Sequence, residues 1–119
     1  MGQQTDVLDR VLRDACNDAE QGLTVAFIAP TRAAGRAALR QLKDNAPAGA
    51  ATFYMTNGAE EIRMHSGGRV FLSVPKGGIR GTNVDHIYIP AKMETPDVME
   101  ELAPAVATSD HPAIVGYFV

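Results

Sequence analysis

Arg32, Arg36, Arg40 and Lys43 follow one another at spacings of four, four and three residues. On an α-helix, at roughly 100° per residue, that spacing gathers the cations into one narrow stripe. A second basic group, Arg69, Lys76 and Arg80, surrounds a loop containing Gly77, Gly78 and Gly81. Either group can follow a nucleic-acid backbone by neutralising its phosphates. An exposed helix face and a solvated turn explain the same residues more simply, and that account is preferred. Arg80 can alternatively act as an arginine finger toward a partner ATPase, a role that requires a partner the sequence does not name.

Phosphate-loop chemistry needs the string G-x-x-x-x-G-K-[ST], in which glycine amides wrap the phosphates, lysine offsets their charge and the hydroxyl holds Mg²⁺. The stretch Pro30 to Ala37 has the spacing, but proline replaces the first glycine, Arg36 the lysine and Ala37 the metal ligand. It reads better as the turn and helix that follow a strand. His65, His86 and His111 fall in no ligand spacing, so no metal is expected. Ser109, Asp110 and His111 are consecutive, which does not supply the geometry of a catalytic triad. The single cysteine, Cys16, lies beside the apolar face of a predicted helix and reads as core.

The elements that must position these groups come from a chain of 119 residues with 45% apolar and 21% charged side chains, the composition of one globular domain spanning 1–119. Absence of a second cysteine fits a reducing compartment. No apolar run reaches the ~18 residues of a membrane span, and the N-terminus lacks the features of a signal peptide, so a cytoplasmic protein is expected. Charge is uneven: residues 1–31 carry a net −3, residues 32–92 a net +5 and residues 93–119 a net −5. A positive middle between acidic ends can face phosphate, although acidic flanks pairing with the middle account for it more simply.

Asp6 to Gln21 reads as an amphipathic helix with Thr5 as N-cap and Gly22 as its stop. Leu23 to Ala29 is a nearly continuous apolar run, the mark of a strand covered on both faces. Thr31 caps a second helix to about Asp44, with Ala34, Ala38 and Leu42 inward. Ala51 to Met55 is a short strand. Glu61–His65 and Arg69–Val74 flank Ser66-Gly67-Gly68 as an antiparallel hairpin. Asp85 to Pro90 is another buried strand, Pro96 opens a helix to about Ala103, and Pro104 is expected to end or kink it. Ala113 to Val119 is a last apolar strand. Phe53, Tyr54, Phe71, Tyr88, Tyr117 and Phe118 all fall in these strands, where packing accounts for them. The order predicts an α/β fold: a mainly parallel sheet, helices on both faces and an inserted antiparallel hairpin.

Three stretches in this order resemble the RecA-like ATPase core of phage terminase large subunits and related helicases. Thr24-Val-Ala-Phe-Ile-Ala-Pro-Thr-Arg-Ala-Ala-Gly-Arg-Ala-Ala-Leu-Arg-Gln-Leu42 is similar to the strand, "APT" turn and basic helix after the phosphate-binding helix. Ile62 to Ser73, then Ile79-Arg80-Gly81, then Asp85-His-Ile-Tyr-Ile89 is similar to a hairpin, an "RG" loop and the strand that in those enzymes ends in Asp-Glu. Val98 to Val106 followed by Ala113 to Tyr117 looks like the helix and strand before the coupling motif. Arg69 to Pro90 also resembles the second RecA-like domain of helicases, and either alignment implies a RecA-like, P-loop NTPase-like fold.

The resemblance implies a degenerate member. Gly2-Gln3-Gln4-Thr5 stands where Gly-Lys-Thr would end, and Pro90 and Ala91 stand where Asp and Glu would hold Mg²⁺ and polarise water. Glu94, past the proline, reads as a solvated loop residue. The expectation is therefore a catalytically inactive, phage-encoded terminase-like protein without cofactor, in the host cytoplasm. It would act as a protein-interaction or self-assembling module toward a host or phage protein. The strand that precedes the phosphate loop would be missing, letting Asp85–Pro90 and Ala113–Val119 pair directly or leaving an open edge. Ile114, Val115, Tyr117 and Phe118 are then the candidate edge for a homo-oligomer. Nucleic-acid binding through the basic groups and a partner-completed NTPase are the alternatives.

Overall fold

A computed structural model describes residues 2–73 and 82–119, with side chains from residue 7 onward. The chain forms α1 (Gly2–Glu20), β1 (Thr24–Ile28), α2 (Arg32–Asn45), β2 (Thr52–Tyr54), β3 (Glu61–Arg63), β4 (Arg69–Ser73) and β5 (His86–Pro90). A 3₁₀ turn (Ala91–Met93), α3 (Pro96–Val106) and β6 (Ala113–Tyr117) complete it. The strands make one sheet in the order β2-β3-β4-β1-β5-β6. Pairing is parallel between β4 and β1, β1 and β5, and β5 and β6. It is antiparallel between β2 and β3 and between β3 and β4. The α/β class, the mostly parallel sheet and the inserted hairpin agree with the sequence reading, and β5 and β6 are direct neighbours.

Alternation along β1 explains the layers. Val25 and Phe27 face α1 and α2 and join Leu8, Leu12, Ala15, Leu39, Val70 and Leu72 in one core cluster. Ala26 and Ile28 face the other way and pack with Ile87, Ile89, Val98, Leu102 and Val106 under α3. A strand buried on both faces must be apolar throughout, which is why Leu23–Ala29 shows no alternation. The cluster under α3 is built on β1 and β5, with Phe71 of β4 and Ile114 of β6 packed at its margins.

Tight joints fix the hairpin and α2. Gly67 has φ +93°, a left-handed conformation suited to glycine. At Gly68 a Cβ would lie 1.8 Å from the Ala19 carbonyl oxygen and 2.8 Å from that of Leu23, so the hairpin tip abuts the α1–β1 corner directly. Ser66 Oγ donates to the same Ala19 carbonyl at 2.9 Å.

Two helix boundaries differ from expectation. α1 begins at Gly2 rather than after Thr5. α3 runs through Pro104 to Val106. Pro104 sits on the exposed side of the last turn, while Leu102, Ala105 and Val106 are buried and the Val84 N–H donates to the Ala105 carbonyl at 2.9 Å. Packing and that bond hold the turn that proline alone would weaken.

Candidate functional site

Parallel sheets bind ligands in the crevice outside the carboxyl ends of their strands, where the chain direction switches. Here the switch lies between β1, which leads into α2 on one face, and β5, which leads into α3 on the other. Pro30 and Thr31 leave β1. Thr31 caps α2 by accepting from the Ala34 N–H at 3.1 Å. Pro90 is buried and passes through the 3₁₀ turn to Thr95, which caps α3 by accepting from the Val98 N–H at 3.4 Å.

Tyr117 reaches this end of the sheet from β6. Its hydroxyl donates to the Ile28 carbonyl at 2.6 Å, and its ring stacks on Phe27 with centroids 6.4 Å apart. Burial pushes the phenol above its ordinary pKa. A neutral aromatic ring therefore occupies the carboxyl end of β1. Glu94 is exposed, as expected, and its carboxylate overlies Gly116, where a Cβ would lie 1.9 Å from Oε1.

The basic stripe on α2 is divided. Arg32 Nη1 donates to Glu60 Oε1 at 3.2 Å, and Arg36 Nη1 donates to Glu60 Oε2 at 2.5 Å and to the Met55 carbonyl at 3.2 Å. Glu60 is fully buried in the β2–β3 connection, and an unpaired carboxylate there would be costly. Burial works to raise its pKa, but the Arg36 bond, backbone N–H groups of Glu60 and Gly58, and the charge of Arg32 outweigh it and hold the value below the ordinary one. Arg40 and Lys43 remain exposed.

Arg69 lies on the same face of β4 as Phe71, with its side chain part exposed. It shares Glu61 with Arg63 and sits 5.4 Å from the Phe71 ring centroid, while Arg63 sits 4.9 Å from that of Tyr54. A hollow of about 220 Å³ on this face is lined by Glu60, Glu61, Arg69 and Phe71 among others, a mixed-charge surface. Lys76 and Arg80 lie outside the described residues. Arg32, Arg36, Arg63 and Arg69 thus pair inside the basic middle of the chain, with Glu60 and Glu61, rather than with the acidic flanks.

A polar network at the opposite end of β5 escaped the sequence reading. His86 Nδ1 lies 2.8 Å from Asp18 Oδ2, and the Tyr88 hydroxyl donates to the same oxygen at 2.5 Å. Burial and the Asp18 bond raise the Tyr88 pKa. The available signal was the alternation of His86 and Tyr88 on one strand face opposite α1; only the fold brings Asp18 there. Tyr88 directs its proton at the carboxylate and not at the imidazole, so the network braces α1 on β5. Asp85 likewise accepts from the Thr24 N–H at 2.8 Å and from Ser109 Oγ at 2.5 Å. Ser109 Oγ also accepts from the His111 N–H at 2.9 Å, making it a turn brace. Among the described residues no cluster of His, Cys, Asp or Glu is arranged to hold a metal ion. Cys16 is partly buried against the core; burial, with Glu20 nearby, pushes its thiol up to about 12.

The candidate edge is not uniform. Ile114 packs partly under α3 and Tyr117 is 7% exposed, so the Tyr117 side chain is withdrawn from any interface. Val115 is 39% and Phe118 85% exposed. Tyr54 on β2 is also exposed, and Phe118 lies just past the end of β6, so both depart from the expectation that packing within strands accounts for these aromatics. No helix among the described residues is long and apolar enough to cross a membrane. No family model, curated protein or solved structure matches the chain.

Proposed function

We propose that this chain is a degenerate RecA-like shell that works as a protein-interaction module and self-assembles, without nucleotide chemistry. The observation that carries the reading is β6. It is an edge strand of five residues, and Ala113 to Val119 contains no charged side chain and no proline. Natural edges of that length are ordinarily protected by charge, proline or a bulge, because their free N–H and C=O groups template further pairing. The opposite edge, β2, is only three residues long. The RecA-like ancestry and phage origin rest on the sequence resemblance. The apolar Pro90 and Ala91 and the aromatic filling by Tyr117 at the carboxyl end of the sheet support the absence of hydrolysis.

Sedimentation equilibrium over a wide concentration range is expected to show mass rising above 12.7 kDa. A single monomeric mass at every concentration would remove the self-assembly reading. Sustained Mg²⁺-dependent ATP turnover that follows the purified protein would overturn the non-catalytic one.

Exposure of Arg40 and Lys43, and of the aromatic and arginine side chains of Tyr54 and Arg63, favours nucleic-acid binding as a second reading. Affinity for single-stranded DNA that falls steeply with salt, and falls further with Arg40→Glu and Lys43→Glu, would favour it over the first.

A further inference from the structure

We propose that β6 pairs with β6 of a second copy, antiparallel about a two-fold axis through Val115, which continues the sheet across both molecules. This rests on the self-assembly reading above and adds its partner and register. The backbone orientation of β6 comes from one bond: the Ala113 N–H donates to the Asp85 carbonyl on β5 at 3.1 Å. Successive residues of a strand alternate the side to which they present N–H and C=O. Ala113, Val115 and Tyr117 therefore present theirs to β5, and Ile114 and Gly116 present theirs outward. An antiparallel two-fold at Val115 sets Ile114 opposite Gly116 of the second copy, so each pair exchanges N–H···O=C bonds in both directions. Further out, Phe118 faces Pro112 of the second copy, whose carbonyl needs no N–H beside it to accept.

The side chains favour the same centre. Val115 is half exposed beside Tyr88, its partner in register on β5, and at the axis it would meet its own copy in a non-hydrogen-bonded pair, where side chains approach most closely. Centring on Gly116 instead would bring together the two Glu94 carboxylates that overlie it. It would also set Val115 opposite Tyr117, whose ring is buried and tied to Ile28. Centring on Ile114 would set Gly116 opposite Pro112, which has no N–H to give, and leave Ile114 with its own copy as the one fully reciprocal pair within β6, where the Val115 centre has two. About Val115 the strand keeps two fully reciprocal pairs without setting the Glu94 carboxylates face to face.

Full-length single-cysteine additions test the register, since the native Cys16 thiol is largely protonated and packed against the core. Val115→Cys is expected to form an intermolecular disulfide under mild oxidation about tenfold faster than Ile114→Cys or Phe118→Cys, because only the axial pair has Cβ atoms within bridging distance. Val115→Lys is expected to weaken dimerisation about tenfold or more by setting like charges face to face, with unchanged circular dichroism. Tyr54→Lys on the opposite edge is expected to leave it unchanged. A dimer that cross-links no faster at position 115, or that dissolves with Tyr54→Lys and not with Val115→Lys, overturns this register while leaving self-assembly standing. A monomer at millimolar concentration overturns both.

Discussion

Arg32 and Arg36 show how one pair of side chains can carry two meanings in a sequence. Their spacing builds a basic stripe, yet both turn onto Glu60, the buried charge that the β2–β3 connection must neutralise. Glu60→Gln should therefore destabilise the protein by about 2 kcal/mol in urea unfolding at neutral pH, because two guanidinium groups lose their counter-charge while remaining partly hydrated. Arg40→Gln, at an exposed position, should change stability by less than about 0.5 kcal/mol. Glu60 and Asp85 both have folded-state pKa values below their ordinary 4.5 and 3.8. A depressed carboxylate stabilises the fold above its ordinary value and loses that contribution as pH falls through the folded value. Stability should then change little from about pH 7 to pH 5 and decline below about 4.5, and Glu60→Gln should flatten part of that decline. Cys16, with its thiol at about 12, should react with a thiol reagent far more slowly in the native than in the unfolded protein.

At the level of elements, joints matter as much as helices and strands. Gly68→Ala would drive a methyl group into the Ala19 carbonyl, a backbone atom that cannot swing aside, and should cost about 3 kcal/mol or more. Gly35→Ala meets chiefly the end of the Leu72 side chain, which can rotate away, with the Ala29 Cβ at 3.1 Å, and should cost less; thermal melts of the two variants check both. Pro104→Ala should stabilise by about 1 kcal/mol, since α3 already continues through this exposed position and alanine restores an N–H. Local signals carried most of the elements into view before the structure did: the apolar run Leu23–Ala29, the Ser66-Gly67-Gly68 turn, and Thr31 and Pro96 at helix starts. Pro104 misled because a residue's propensity is local, whereas Leu102, Ala105 and Val106 hold the last turn through contacts made elsewhere in the chain. The two arginines on Glu60, and Asp18 beside His86 and Tyr88, were hidden for the same reason. Each pairing spans two elements that only the sheet order makes neighbours.

Across the whole molecule, the sheet has a closed centre and unequal edges. β1 is buried on both faces, Tyr117 fills the carboxyl end where a ligand would ordinarily enter, and β2 is too short to template much pairing. Among the described strands, β6 alone combines length, lack of charge and outward-facing backbone groups. That asymmetry was partly legible in the sequence, as an apolar final strand with Val115 and Phe118 available, but the withdrawal of Tyr117 from the edge was not. A molecule built this way is proposed to act through what it adds to its sheet. Amide hydrogen exchange of Ile114 and Gly116, followed as protein concentration rises, tests this most directly. Protection of these two amides should increase with concentration while that of Val25 and Ile87, in the buried centre, stays constant. Rapid exchange at Ile114 and Gly116, the same at every concentration, would contradict it.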